Sequence, residues 1–139
     1  MYFRNSEQYF MWIKAKTFGD EEIANKILKQ GANPQQAKKF GRLVKNYDSK
    51  YHHIWNNKRY QVMVDANMLK FSQNEELKKL FLSKKFNNKH FVEASPFDTI
   101  WGIGCPVDKA LDDKSNWKGM NLLGQALDEV REKLINQTL

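Results

Sequence analysis

The feature that most constrains this chain is its punctuation. Cap-type residues recur at short intervals: Asn5 or Ser6, Asp20, the pair Asn33-Pro34, Asp48 and Asn74. Each precedes a run whose apolar residues return mostly every three or four positions, the period of a helix with a buried face. The pattern predicts helices over residues 6–17, 21–29, 49–71 and 75–82. Another opens at Pro34, a residue pre-set for the first helical turn, and carries Ala37, Phe40, Leu43 and Val44. A sixth spans 121–134, with Leu122, Leu123, Leu127, Val130 and Leu134 inward. Gly19 and Gly31 read as stops, the second in the left-handed conformation. Residues 83–89 and 106–114 read as loops.

Residues 92–104, Val-Glu-Ala-Ser-Pro-Phe-Asp-Thr-Ile-Trp-Gly-Ile-Gly, break the helical pattern. Two carboxylates, a hydroxyl, an indole and two glycines sit beside Val92, Ile100 and Ile103. The stretch reads as one or two strands lying against the core, and glycines beside a Trp let backbone approach whatever stacks on the ring. Tyr2 and Phe3 read as a strand end. At 139 residues the chain suits a single domain over 1–139. The expected fold is therefore α+β, mainly α, with about six helices and a small sheet.

A net charge of +7 favours anionic ligands, but Lys38-Lys39, Lys78-Lys79 and Lys84-Lys85 lie on separate segments, which argues against a dedicated nucleic-acid face. The single Cys105 rules out an intrachain disulfide and a Cys-based zinc site. Adjacent His52 and His53 with a lone His90 make poor chelators, so no metal and no cofactor are expected. No membrane span or signal peptide is visible, and the chain reads as soluble and cytoplasmic. P-loop, dinucleotide, metalloprotease and nucleophile-elbow signatures are absent.

The polar residues out of place are Glu7, Lys14, Arg42, Glu93 and Asp98. Glu7 and Lys14 stand two turns apart and face the same way on an otherwise apolar helix, about 10 Å apart along its axis. Either both reach solvent at a helix margin, or they form a carboxylate-lysine site in which desolvation makes the amine nucleophilic.

Four blocks together resemble the YbiA/NADAR family of N-glycosidases. They are Glu7 to Ala15 with Phe18 and Asp20; Gly41-Arg42 with Trp55 and Lys70 to Asn74; Glu93-Ala94-Ser95 through Asp98 to Trp101-Gly102-Ile103-Gly104; and Trp117 to Gly124 with Val130-Arg131. They fall in the family's order and cover nearly the whole chain. Family members usually begin with a further stretch, a Ser-Asn-Phe-like motif and a strand, which this sequence is expected to lack. Residues 83–88 replace a shorter turn, and Asp128 stands where Met is common, a change expected to affect packing.

The resemblance implies hydrolysis of the bond between a base nitrogen and ribose C1. The substrate would be a phosphorylated ribosyl or ADP-ribosyl small molecule, or ADP-ribosylated guanine in nucleic acid, with no membrane partner; a homo-oligomer is compatible. It assigns Lys14 as nucleophile through a Schiff base, Glu7 as acid–base partner and Asp98 as charge stabiliser. Substrate contacts would come from Phe18, Asp20, Arg42 on phosphate, Glu93, Ser95, Trp101 on the base, Gly102, and Asn121 at the positive end of the last helix. The Lys14 amine, Glu7 and the Trp101 indole are expected to share one pocket. A competing reading is a non-catalytic ADP-ribose or nucleotide sensor; another is a basic nucleic-acid-binding module.

Overall fold

A computed structural model describes residues 1–45, 47–48 and 50–138. Among them there are seven α-helices and no strand: α1 Ser6–Thr17, α2 Glu21–Gln30, α3 Pro34–Gly41, α4 His52–Ser72, α5 Glu75–Phe81, α6 Val107–Asp112 and α7 Leu122–Thr138. One-turn 3-10 helices lie at Lys84–Phe86 and Lys114–Asn116. The predicted small sheet is therefore wrong, and so is the strand end at Tyr2 and Phe3. The start of the fourth helix at Ser49 lies outside the described residues; helical structure is found from His52. The expected loop after Pro106 contains α6, and Gly31 ends α2 at φ −87°, outside the left-handed region.

The chain forms two compact units, Met1–Lys70 and Phe71–Leu139. In the first, α1 packs against α2 and α3. The caps work as their sequence demands: Asn5 accepts from Gln8 N, Asp20 from Ile23 N, and Asn33 from Gln35 N and Gln36 N. The core gathers Ala15, Ile23, Ala24, Ile27, Phe40 and Val44, with Met11, Trp12, Phe18 and Tyr47 packed on it. Burying such side chains stabilises by ~2 kcal/mol each. Gln8 is buried among them because its amide is satisfied: Nε2 donates to the Ile27 carbonyl at 2.9 Å, and Oε1 accepts from Arg4 N at 2.7 Å.

In the second unit Phe71 stacks on Phe81 at 4.0 Å, and Phe81 meets Phe91 at 5.1 Å. Arg131 of α7 caps the end of α5, with Nε donating to the Phe81 carbonyl at 3.1 Å. Ala126, Val130 and Leu134 are the buried stripe of α7. Leu77 and Leu80, apolar by sequence, are exposed. A seven-residue helix has one narrow buried face, and in α5 Phe81 takes it.

The stretch expected to be a strand is a tied loop. Lys118 N and Gly119 N donate to the Ile103 carbonyl, Met120 N to Thr99, Asn121 N to Gly102, Leu122 N to Ile100 and Leu123 N to Trp101, at 2.8–3.1 Å. These bonds run one way, from the N–H groups of 118–123 to the carbonyls of 99–103. A strand pair exchanges them in both directions, with side chains alternating between faces. An Asx turn at Asp98 and the one-way bonds from 118–123 stand in place of a strand ladder, which is why apolar residues did not imply a sheet. No helix among the described residues is long and apolar enough to cross a membrane.

Candidate active site

Lys14 is the buried cation of the first unit, with 8% of its surface exposed. It sits on the face of α1 that also buries Gln8, Phe10 and Ala15. Nζ donates to the Gly41 carbonyl at 3.0 Å and stands 4.0 Å from the centroid of the Tyr47 ring. Burial pushes its pKa below the usual lysine value, and the nearby Arg42 guanidinium pushes it further the same way.

Gly41 eases the close approach, since a Cβ there would force the flexible Met11 side chain aside. A Cβ there would fall 2.2 Å from Met11 Sδ and 3.0 Å from Met11 Cγ. Without one, the end of α3 settles against α1 and presents its last carbonyl to the amine. Arg42 caps α3 and is exposed. The guanidinium near the buried amine holds the amine toward its neutral form. Glu7 is half-buried in the first turn of α1.

Asp20 and Phe18 are placed differently. Asp20 is buried, and backbone amides occupy both its oxygens: Oδ1 accepts from Ile23 N at 3.1 Å and Oδ2 from Lys45 N at 2.8 Å. It caps α2 and ties the segment after α3 to it. Phe18 is the C-cap of α1, and its ring meets the Tyr47 ring edge-on at 5.4 Å.

The second unit holds the other sequence-chosen residues, all on the tied loop or at its edge. Asp98 Oδ1 accepts from Ile100 N at 3.0 Å and Trp101 N at 2.8 Å. Asn121 closes the loop. Its Oδ1 accepts from Glu93 N at 3.0 Å, its Nδ2 donates to the Phe91 carbonyl at 3.1 Å, and its own backbone is left-handed at φ +53°. The Glu93 carbonyl accepts from Ser95 N and Ile103 N, while its side chain is exposed. Gly102 is buried where a Cβ would lie 2.8 Å from the Asp98 carbonyl and 3.2 Å from Ser95 Cβ. Trp101 is half-buried. Asp128 accepts from Phe91 N at 3.0 Å and pairs with His90 Nδ1 at 2.9 Å, so it anchors the start of this segment. The first amides of α7 already donate to Ile100 and Trp101.

Sequence reasoning missed Tyr47 and Gln8. Tyr47 follows α3 with no helical period around it, and Gln8 looks like any first-turn polar residue. Gly41, in the family-like pair Gly41-Arg42, supplies the carbonyl of the amine's seat.

A helical domain with a desolvated amine, an exposed guanidinium and a carboxylate on the amine's own helix is a candidate hydrolase of anionic substrates. Its relatives narrow the class. Residues 1–135 match the NADAR domain, and the chain belongs to that family. It is 43% identical over 133 residues to the protein irg-1 of Caenorhabditis elegans, covering 95% of this chain and 61% of the worm protein. It is 40% identical over 130 residues to N-glycosidase R617 of Acanthamoeba polyphaga mimivirus, covering 93% of this chain and 73% of that protein. The NMR structure of Escherichia coli YbiA matches with a TM-score of 0.70 at 32% identity, over 96% of this chain and 68% of YbiA. The chain thus spans about three-fifths of irg-1 and about seven-tenths of the other two.

Proposed function

We infer that this chain is an N-glycosidase that breaks the bond between a base nitrogen and C1 of a phosphorylated ribose or an ADP-ribose, with Lys14 as nucleophile. The observation that carries the reading is the state of the amine. It is buried, its proton affinity is depressed by desolvation and by Arg42, and the Gly41 carbonyl holds it by a hydrogen bond. The names N-glycosidase R617 and N-glycosidase YbiA support the reaction class.

A neutral amine has two N–H bonds and one lone pair. The Gly41 carbonyl takes one N–H, which orients the lone pair. The amine adds at C1, and the C1–N bond to the base breaks. Its electron pair stays on the leaving nitrogen, which takes a proton; we assign that transfer to Glu7. The C1–O bond of the ring then breaks, the ring oxygen takes one proton from the C1-bound nitrogen, and a protonated imine is left on Lys14. Water adds to the imine and releases the sugar and the amine, so one water is consumed per bond broken. Arg42 takes the substrate phosphate.

The test is borohydride trapping during turnover of ADP-ribosylated guanosine and of ribosylamino-pyrimidine phosphates. Freed base together with a reduced sugar adduct on Lys14, located by mass spectrometry, is expected. Freed base without an adduct would replace the imine by direct attack of water. Binding with no freed base would make the domain a sensor.

A further inference from the structure

Tyr47 takes no part in the bond-breaking steps, yet it is the side chain on which the Lys14 amine rests. Nζ lies 4.0 Å from the ring centroid. The ring is held on other sides by Phe18, edge-on at 5.4 Å, and by His52, tilted at 4.8 Å. It is half-buried and packs on the core of the first unit.

We propose that Tyr47 is a positioning residue: its ring face and the Gly41 carbonyl together form the seat that fixes where the Lys14 amine stands. The inference rests on the reading of Lys14 as nucleophile. An aromatic face attracts an ammonium far more than a neutral amine. The ring therefore opposes the two influences that depress the proton affinity of Lys14, burial and Arg42. The carboxylate of Asp20 is taken up by the amides of Ile23 and Lys45, and the ionisable His52 ring lies tilted against the Tyr47 ring. Tyr47 thus keeps enough proton on the amine to hold it in place between turnovers, while Arg42 and burial keep that proton easy to lose. An amine without the ring would be neutral at lower pH but free to swing off the Gly41 carbonyl.

The experiment is acetylation of Lys14 by limiting acetic anhydride, followed across pH by mass spectrometry, in the full chain and in Tyr47→Leu, Tyr47→Met and Tyr47→Phe. Tyr47→Leu and Tyr47→Met should move the midpoint of the reactivity curve to lower pH. That raises the rate at a fixed pH below the midpoint by about fivefold. Tyr47→Phe, which keeps the ring face, should retain the original midpoint. A ring that only shields the amine would, on removal, let water reach it and move the midpoint to higher pH. That result overturns the proposal, as does Tyr47→Phe behaving like Tyr47→Leu; Tyr47→Met carries the test if Tyr47→Leu does not fold.

Labelling uses no substrate, so the two inferences fail separately. A shifted midpoint together with normal turnover in Lys14→Ala sinks the nucleophile and keeps the seat. An unshifted midpoint together with an inactive Lys14→Ala sinks the seat and keeps the nucleophile.

Discussion

The two units hold their polar residues in opposite ways. Around Lys14, regular helices pack through apolar side chains and leave one amine in a buried niche, met by a carbonyl and a ring. In the loop over residues 91–104 there is little regular structure, and polar side chains hold the backbone itself. Asn121 bridges Glu93 and Phe91, and Asp98 closes a turn on Ile100 and Trp101. A buried polar group that leaves reactive capacity unspent is a candidate for chemistry, whereas one whose donors and acceptors meet backbone is a candidate for shape.

That contrast breaks most directly at Lys14. Lys14→Ala and Lys14→Arg should lower turnover by at least about a thousandfold, measured as freed base, the arginine because it keeps charge without nucleophilicity. Lys14→Met should be equally inactive yet no less stable, because it removes a desolvated amine. It should also flatten a slope. Folding depresses the proton affinity of Lys14, so the folded chain binds fewer protons than the unfolded one from the depressed value up to the ordinary lysine range. Stability therefore rises with pH through that window and is lost as pH falls through it. Urea titrations at several pH values should show the slope in the parent chain and its loss in Lys14→Met.

The opposite outcome is expected in the loop. A Cβ on Gly119 would lie 2.1 Å from the Gly102 carbonyl and 2.9 Å from the Ile103 carbonyl carbon, all of it backbone that cannot swing away. Gly119→Ala should cost about 3 kcal/mol in urea unfolding. Asn121→Ala leaves the Glu93 amide and the Phe91 carbonyl without their partner and places alanine at positive φ, for a loss of about 2 kcal/mol. Asn121→Gly should recover the backbone part alone. Full stability in Asn121→Ala would show that the loop does not depend on this bridge.

The smallest effect sharpens the comparison within the first unit. Arg42→Gln removes the second cause of the depressed Lys14 proton affinity and leaves burial in place. The amine then loses its proton at higher pH, so the acid limb of the rate profile should move up. An unmoved limb would mean that a group other than Lys14 sets it.

Much of the helical frame was legible. The span of α1 follows from Asn5, Glu7 and its apolar residues, and α2 and α3 from Asp20 and Asn33-Pro34, because a cap and a 3.6-residue period act over a few neighbouring positions. The loop was not legible. Its apolar residues mimic a buried strand, while many of the bonds that shape it join residues far apart in sequence, such as Asn121 to Glu93 and Lys118 to Ile103. Asp20 was legible as the cap of α2, but its second bond, from Lys45 N 25 residues on, leaves no trace in the local pattern.

By itself the sequence determined where α1, α2 and α3 start, that Glu7 and Lys14 share a helix, and which blocks ally the chain with its family. Tertiary structure alone decided that the Lys14 amine lies against Gly41 and Tyr47, and that Asn121 and Asp98 serve the loop. The physical reason is range. Helix formation is settled among neighbours four residues apart, whereas the protonation of a buried amine depends on what the chain brings back to it from about thirty residues away.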